Sequence, residues 1–460
     1  MNWPVYAAYV DSGVKWIDSV PISWKVGQLK RWIERIESGT SVNAADIPAG
    51  EAEIGVLKTS CVYSGEFNIG ENKTVLPEEL GRVSCPVTKG TLIVSRMNTP
   101  DLVGAAGYVS SSHPGIFLPD RLWQVYFHGL DARWVSYWSK TKIYRDQLKS
   151  ISVGTSSSMQ NISQSDFGSI IIPAPSEVEQ STIISFLDRE TAKIDALIAK
   201  QEQLIDTLRE DRAATITQAV TKGLNPDVEM KWAGVDWVDR VPSGWIVTPF
   251  LRCMQGRVDY RGATPKKVDN GIVLITARNV RPGFIDYNAS KEFVSPEEYS
   301  DVMRRGTPEI DDLLFTMEAP LGYVALVDRI DIALAQRIIK FRADRSVADP
   351  RFLMYSIMSG GFQSQLTARA TGSTALGLKA SKLHELRIAL PSLCEQRRIT
   401  RFLDDRCAKI DALIAKSTEM IDTLSEYRSA LITDAVTGKI DVRSFVAEDA
   451  GVVAAQGEAK

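Results

Sequence analysis

EQSTIISFLDRETAKIDALIAKQEQLIDTLREDRAATITQAVTK (179–222) and EQRRITRFLDDRCAKIDALIAKSTEMIDTLSEYRSALITDAVTG (395–438) align without a gap, and 27 of their 44 positions are identical. In the first, Ile183, Phe186, Leu187, Ile194, Leu197, Ile198, Leu204, Ile205 and Leu208 recur at three- and four-residue steps. The second repeats them with Ile399, Phe402, Leu403, Ile410, Leu413, Ile414, Met420, Ile421 and Leu424. That period marks one face of a helix. Ser176 and Ser392, just after Pro175 and Pro391, are placed to cap the starts, and Gly223 and Gly438 to end the helices. Each stretch predicts a rod of about 65 Å. Two rods with like stripes are expected to pack as an antiparallel coiled-coil pair, relating what they separate by a pseudo-twofold axis. The alternative is that each stripe packs on its own domain.

The repeat extends outward. GVKWIDSVPISWKV (13–26) matches GVDWVDRVPSGWIV (234–247), and VGTSSSMQNISQSDFGSIIIPAPS (153–176) resembles ATGSTALGLKASKLHELRIALPS (370–392). Between these anchors the halves diverge. One frame therefore occurs twice around two different inserts, which reads as one physical task performed on two targets. Each insert alternates strand-like runs with turns, such as GTLIVSRM (90–97), RLWQVYF (121–127), GIVLITARNV (271–280) and QRIIKFR (336–342), and carries late helical pieces. The expected fold class is α+β, with two mixed α/β domains of about 150 residues separated by the two helices.

The chain has 460 residues, of which 44% are hydrophobic and 24% charged, as in ordinary globular proteins. No apolar run approaches a membrane span, and the start lacks the pattern of a signal peptide, so a cytoplasmic location is expected. Five scattered cysteines without a C-x-x-C argue against a disulfide framework and a zinc site. The net charge of -3 is uneven: roughly +1 over 20–175, roughly +5 over 240–390 and roughly -9 elsewhere. Local basic surface, not the average, decides nucleic-acid binding.

No catalytic signature is present. A Walker A loop, G-x-G-x-x-G and G-x-S-x-G are all missing. Asp227, Glu229 and Lys231 only superficially suggest a nuclease motif, because the carboxylates stand too close in sequence. His113, His128 and His384 are read as surface or packing residues. The expected role is recognition without chemistry, with no catalytic residue and no metal ligand.

On these residues the chain resembles the specificity subunits of type I restriction–modification systems. The resemblance is carried by SGVKWIDSVPISW (12–24), AGVDWVDRVPSGW (233–245), the E-Q-x-x-I-x-x-F-L-D core at 179–188 and 395–404, and the joint LNPDVEMKWAGVDW (224–237). It implies a first target recognition domain with its frame at 1–175 and a central conserved helix at 176–223. A linker with the second recognition domain would follow at 224–391, a distal conserved helix at 392–443 and a flexible tail at 444–460. The two recognition domains would each read half of a bipartite double-stranded DNA site. The helices would space them and dock two N6-adenine methyltransferase subunits, to which translocase–endonuclease subunits could be added. S-adenosylmethionine, ATP and magnesium would belong to those partners, and this chain would bind no cofactor. A coiled-coil scaffold whose inserts bind proteins is the competing reading.

Arginine pairs with guanine, amides pair with adenine, and basic residues meet phosphates. In the first insert the candidates are Arg96, Asn98, Arg121, Ser156, Gln160 and Asn161. In the second they are Arg257, Arg261, Lys266, Lys267, Arg278, Asn279, Arg281, Arg337, Ser373 and Lys379, with Arg337 as the counterpart of Arg121. Trp24 and Trp245 recur in both frames and are expected in the core rather than on a base. Phe186, Leu187, Ile194, Leu197, Phe402, Leu403, Ile410 and Leu413 are candidates for coil packing or partner docking.

Overall fold

The computed structural model describes residues 3–156, 159–260, 265–335, 337–372 and 376–445, with the side chains of 155 and 156 left aside. Arg261, Ser373, the Ser156 side chain and the tail beyond 445 lie outside the described residues. Two compact units form. One joins the residues up to Lys200 with those from Met420 onward, and the other runs from Gln201 to Glu419.

In the first unit a four-stranded antiparallel sheet holds the domain core. Its strands are β1 (Ile33–Ser38), β2 (Leu92–Ser95), β4 (Ala106–Tyr108) and β5 (Leu122–Phe127), in the order β4-β2-β5-β1. A smaller three-stranded sheet joins β3 (Met97–Asn98), β6 (Val153–Ser156) and β7 (Met159–Asn161), with β7 central. Helix α1 (Ala132–Ser139) follows β5, capped by the Asp131 carboxylate. It buries Trp134, Val135 and Trp138 completely. The two frame segments close on each other as an antiparallel pair, Lys25–Gln28 with Ile171–Ala174.

The second unit repeats this plan. Strands β8 (Met254–Asp259), β9 (Leu313–Met317), β10 (Leu321–Leu326) and β11 (Ile338–Ala343) pair in the order β10-β9-β11-β8, and helix α3 (Pro350–Met358) follows β11. Its frame pair is Ile246–Pro249 with Arg387–Leu390. The secondary sheets differ: five short strands from 44–117 in the first domain, three from 272–334 in the second. The two domains therefore differ in fold in the peripheral sheets and loops, while the central four strands keep the same order despite their divergent sequences.

The repeated stretches are single helices, α2 (Glu177–Lys222) and α4 (Leu393–Val436). The Ser176 and Ser392 hydroxyls each accept the N–H three residues on, at 3.4 Å. Gly223 and Gly438 follow the last turns at φ 76° and 73°, a region open to glycine at little cost. The helices pack together antiparallel. In the first unit Ile183, Leu187 and Ile194 share a core with Leu431, Ile432 and Val436, and Arg428 pairs with Asp195 at 2.8 Å. In the second, Ile216 and Val220 share a core with Ile399 and Leu403. There Arg212 pairs with Asp411 at 3.1 Å and Arg406 with Asp211 at 2.9 Å. Trp24 and Trp245 are buried in these cores. No helix among the described residues is long and apolar enough to cross a membrane.

Candidate nucleic-acid interface

The E-Q-x-x-I-x-x-F-L-D core works as a clamp. At the start of α2 the Gln180 carbonyl oxygen accepts the Asp131 N–H at 2.8 Å, and its amide donates to the Pro175 carbonyl at 2.9 Å. Two turns on, Asp188 accepts the Tyr137 hydroxyl at 2.6 Å and pairs with Arg133, both on α1. Ile183 and Leu187, fully buried, fill the space along the same helix face. The second unit reproduces every element. Gln396 accepts the Asp349 N–H at 2.8 Å and donates to Pro391 at 2.9 Å. Asp404 accepts the Tyr355 hydroxyl and the Arg351 guanidinium, each at 2.8 Å. Burial raises the pKa of both tyrosines, and in Tyr355 the neighbouring Asp404 adds to it, so the hydroxyls stay donors.

The clamp lies beyond the C-terminal end of β5, and the predicted reading residues gather at its N-terminal end. The Arg96 N–H donates to the Arg121 carbonyl at 3.1 Å, and the Ile162 N–H donates to the Arg96 carbonyl at 3.0 Å. Strand β3 pairs with β7 so that Met97 faces Asn161 and Asn98 faces Gln160, while β7 also pairs with the strand carrying Ser156. Arg96, Arg121, Gln160 and Asn161 are thus brought together. Arg121 is exposed. The Arg96 guanidinium lies 6.0 Å from the Trp123 ring, and its Nε is buried without a hydrogen-bond partner, as is the Asn161 Oδ1. Buried polar atoms are nearly always satisfied, so these two are points of unmet hydrogen bonding.

Asn98 departs from the expectation of a base reader. It is 7% exposed, donates to the Tyr63 hydroxyl at 2.9 Å and to Ser95 at 3.2 Å, and accepts the Thr99 N–H. It braces the loop from within. Its partner Tyr63, part-exposed at the same place, escaped the sequence reading because no motif surrounds it.

In the second domain Asn279 is the same kind of correction. It is completely buried, donates to the carbonyls of Asp286 and Ser290, and accepts from Thr276. It holds a turn whose Arg278 is exposed and whose Arg281 stands 3.9 Å from Asp286. Arg257 on β8, Lys266 and Lys379 are exposed, and Lys267 pairs with Glu292 at 3.0 Å. Arg337 precedes β11 as Arg121 precedes β5, and its carbonyl accepts the Met317 N–H at 3.0 Å. Its side chain pairs with Glu318, an acidic residue that is not among the sequence candidates.

Of the helix candidates, Phe186, Leu187, Ile194, Leu403 and Ile410 are buried, whereas Leu197, Phe402 and Leu413 are exposed. Among the described residues no group of three or more His, Cys, Asp or Glu side chains is arranged to hold a metal ion.

Known proteins are similar to this chain in sequence and in fold. A family model for the type I restriction modification DNA specificity domain matches residues 280–422. The specificity subunit of type I restriction enzyme EcoBI from Escherichia coli is 23% identical over 302 residues, 64% of this chain and 63% of that protein. The EcoEI subunit of the same species is 28% identical over 174 residues, 37% of this chain and 29% of that protein. The EcoKI subunit of E. coli strain K12 is 20% identical over 400 residues, covering 84% of this chain and 82% of that protein. The chain thus spans less than two thirds of the first two relatives and about four fifths of the third. A chain solved in work on complex assembly and conformational transition of the type I R-M system superposes with a TM-score of 0.66 at 14% identity, over 91% of this chain and 98% of that one. That likeness is one of fold. With the duplicated frame, the matched domain and the shared architecture together, the chain is similar in sequence and fold to the specificity subunits of type I restriction–modification systems.

Proposed function

We propose that this chain reads a bipartite double-stranded DNA site, each mixed domain taking one half, and brings partner subunits to it. The observation that carries this reading is the duplicated clamp. Gln180, Asp188, Gln396 and Asp404 fix each domain to the helix pair by the same bonds, while the loops at the far end of β5 and β11 differ. A constant mount under variable loops suits two recognition tasks performed in one fixed geometry. We read 1–175 and 224–391 as the recognition portions, 176–223 and 392–443 as spacer and docking helices. In the first domain Arg96, Arg121, Ser156, Gln160 and Asn161 read bases or hold phosphates. In the second, Arg257, Arg261, Lys266, Lys267, Arg278, Arg281, Arg337, Ser373 and Lys379 do so. Exposed Leu197, Phe402 and Leu413 offer apolar docking points for N6-adenine methyltransferase subunits, two copies matching the two frames. Translocase–endonuclease subunits would complete a restricting complex, acting on DNA in the cytoplasm.

The test is co-expression with the neighbouring methyltransferase gene, followed by sequencing that detects N6-methyladenine. The expected result is a motif with two specified half-sites and an unspecified gap, of which replacing 20–175 alters one. A stable complex that adds no methylation would turn the reading toward a protein-binding scaffold.

A further inference from the structure

Resting on the recognition reading above, we propose that Glu318 and Arg337 together read one G·C base pair in the half-site taken by the second domain. The two domains share a backbone arrangement here but not its chemistry. The Met317 N–H donates to the Arg337 carbonyl, and the Leu378 N–H donates to the Met317 carbonyl, both at 3.0 Å. Arg96, Arg121 and Ile162 form the same pattern in the first domain. Glu318 therefore stands where the first domain has Met97, and Arg337 stands where it has Arg121. Gly377 bridges to Glu318 as Asn161 pairs with Met97. The first domain offers arginines and amides at this place; the second offers a carboxylate beside a guanidinium.

The Arg337 Nε lies 3.1 Å from Glu318 Oε1, and the two side chains are 54% and 47% exposed. Arg337 holds φ at 70°, a left-handed conformation that L-residues other than glycine, asparagine and aspartate seldom adopt. An exposed ion pair contributes little stability and does not offset that conformation. Backbone held this way on a rigid strand end is typical of binding loops. The closest approach of the pair is at Nε, and among the described residues no hydrogen bond engages the two terminal amino groups of the guanidinium, which are thus open to a ligand.

The chemistry selects the ligand. In the major groove a G·C pair presents the guanine N7 and O6 acceptors beside the cytosine N4 donor. A guanidinium only donates and a carboxylate only accepts, so the two together complement that row. An A·T pair sets its N6 donor against the guanidinium and its O4 acceptor against the carboxylate, and is rejected twice.

The experiment compares methylation motifs of the wild-type chain, Arg337→Gln and Glu318→Ala, each co-expressed with the methyltransferase. The half-site left unchanged when 20–175 is replaced should contain a specified G·C pair. Each variant should lose the preference at that position by about 10- to 100-fold, with the other positions intact. Loss at one position is not what misfolding produces. A half-site without a specified G·C pair, or retention of the wild-type preference by either variant, overturns the assignment. Absence of any motif from the wild-type complex would instead sink the recognition reading itself.

Discussion

The Gln180 side chain accepts the backbone N–H of Asp131, a residue 49 positions earlier, at 2.8 Å. Through it the first turn of α2 is tied to the residue that caps α1, and Gln396 ties α4 to the cap of α3 in the same way. Both glutamines are essentially unexposed. Replacing Gln180 with Leu leaves the buried Pro175 carbonyl and the part-buried Asp131 N–H without their partner. A buried orphaned group costs about 1–3 kcal/mol and a part-buried one less, so Gln180→Leu is expected to lower stability by roughly 1–3 kcal/mol. Gln396→Leu should do the same in the second unit. Guanidinium unfolding with hydrogen exchange resolved along the chain checks both, and protection should fall in α1 for the first and in α3 for the second.

Glycines at the helix ends are not equivalent either. A Cβ on Gly438 would stand 2.3 Å from Pro21 Cδ, whereas on Gly223 it would stand 3.3 Å from the Trp245 ring. Both have positive φ, so alanine is strained at each. Gly223→Ala should cost about 1–2 kcal/mol, the left-handed penalty alone. Gly438→Ala adds a clash with a proline ring that cannot rotate away, and a further ~1–3 kcal/mol is expected. Thermal unfolding of the two variants side by side tests the order.

The sequence made the helices legible because their period runs unbroken for 44 positions and their ends carry Ser and Gly. It made the clamp visible only as a motif. Gln180 and Asp188 meet Asp131, Arg133 and Tyr137 about fifty residues away, and no local pattern announces such partners. The loops were the least legible part. Asn98 and Asn279 have the right chemistry for adenine, yet burial turns that chemistry inward, and burial inside a loop has no period to read. Glu318 was invisible for the converse reason, since a carboxylate repels phosphates and nothing local in the sequence marks it as the partner of Arg337.

The third residue of β11 is a buried lysine where β5 has Gln124. Lys340 is 3% exposed and lies 3.1 Å from Asp312, itself 2% exposed. Arg342 adds a contact at 2.8 Å. Burial alone would raise the Asp312 pKa, but hydrogen bonds from Arg342 and the Glu309 N–H, with Lys340 alongside, hold it below the usual carboxylate value. A depressed folded pKa contributes stability that is present above the unfolded value of 3.8 and is lost as pH falls through the folded one. Protection of β9 and β11 should therefore decline below about pH 4, and Asp312→Asn should remove that dependence. The variant strands a buried cation and is expected to cost about 3–5 kcal/mol at neutral pH. Asp312→Leu combined with Lys340→Met removes both charges and should cost less than Asp312→Asn alone. Hydrogen exchange against pH is the measurement.

Phe186 and Phe402 hold the same place in the repeat and meet opposite surroundings. Phe186 is fully buried, with the Trp3 ring 5.3 Å and the Phe445 ring 6.2 Å from its own. Phe402 is 43% exposed. The residues that cover Phe186 come from the two ends of the chain, and nothing comparable in the joint after α2 covers Phe402. Arg397, Arg398 and Arg401, all exposed, flank it where α2 has Ser181, Thr182 and Ser185. Phe186→Ala should thus destabilise the first unit by about 3–5 kcal/mol, as large core truncations do. Phe402 is a little over half buried, so Phe402→Ala removes less buried area and should cost about 1–2 kcal/mol. If the exposed ring serves docking, Phe402→Ala weakens the methyltransferase complex by about 10-fold or more, as truncation of an interface aromatic does. Titration of the purified chain with the methyltransferase subunit, read beside the unfolding curve, separates the two roles. Unchanged affinity, whatever the change in stability, would remove Phe402 from the docking surface and leave Leu197 and Leu413 as its exposed apolar members.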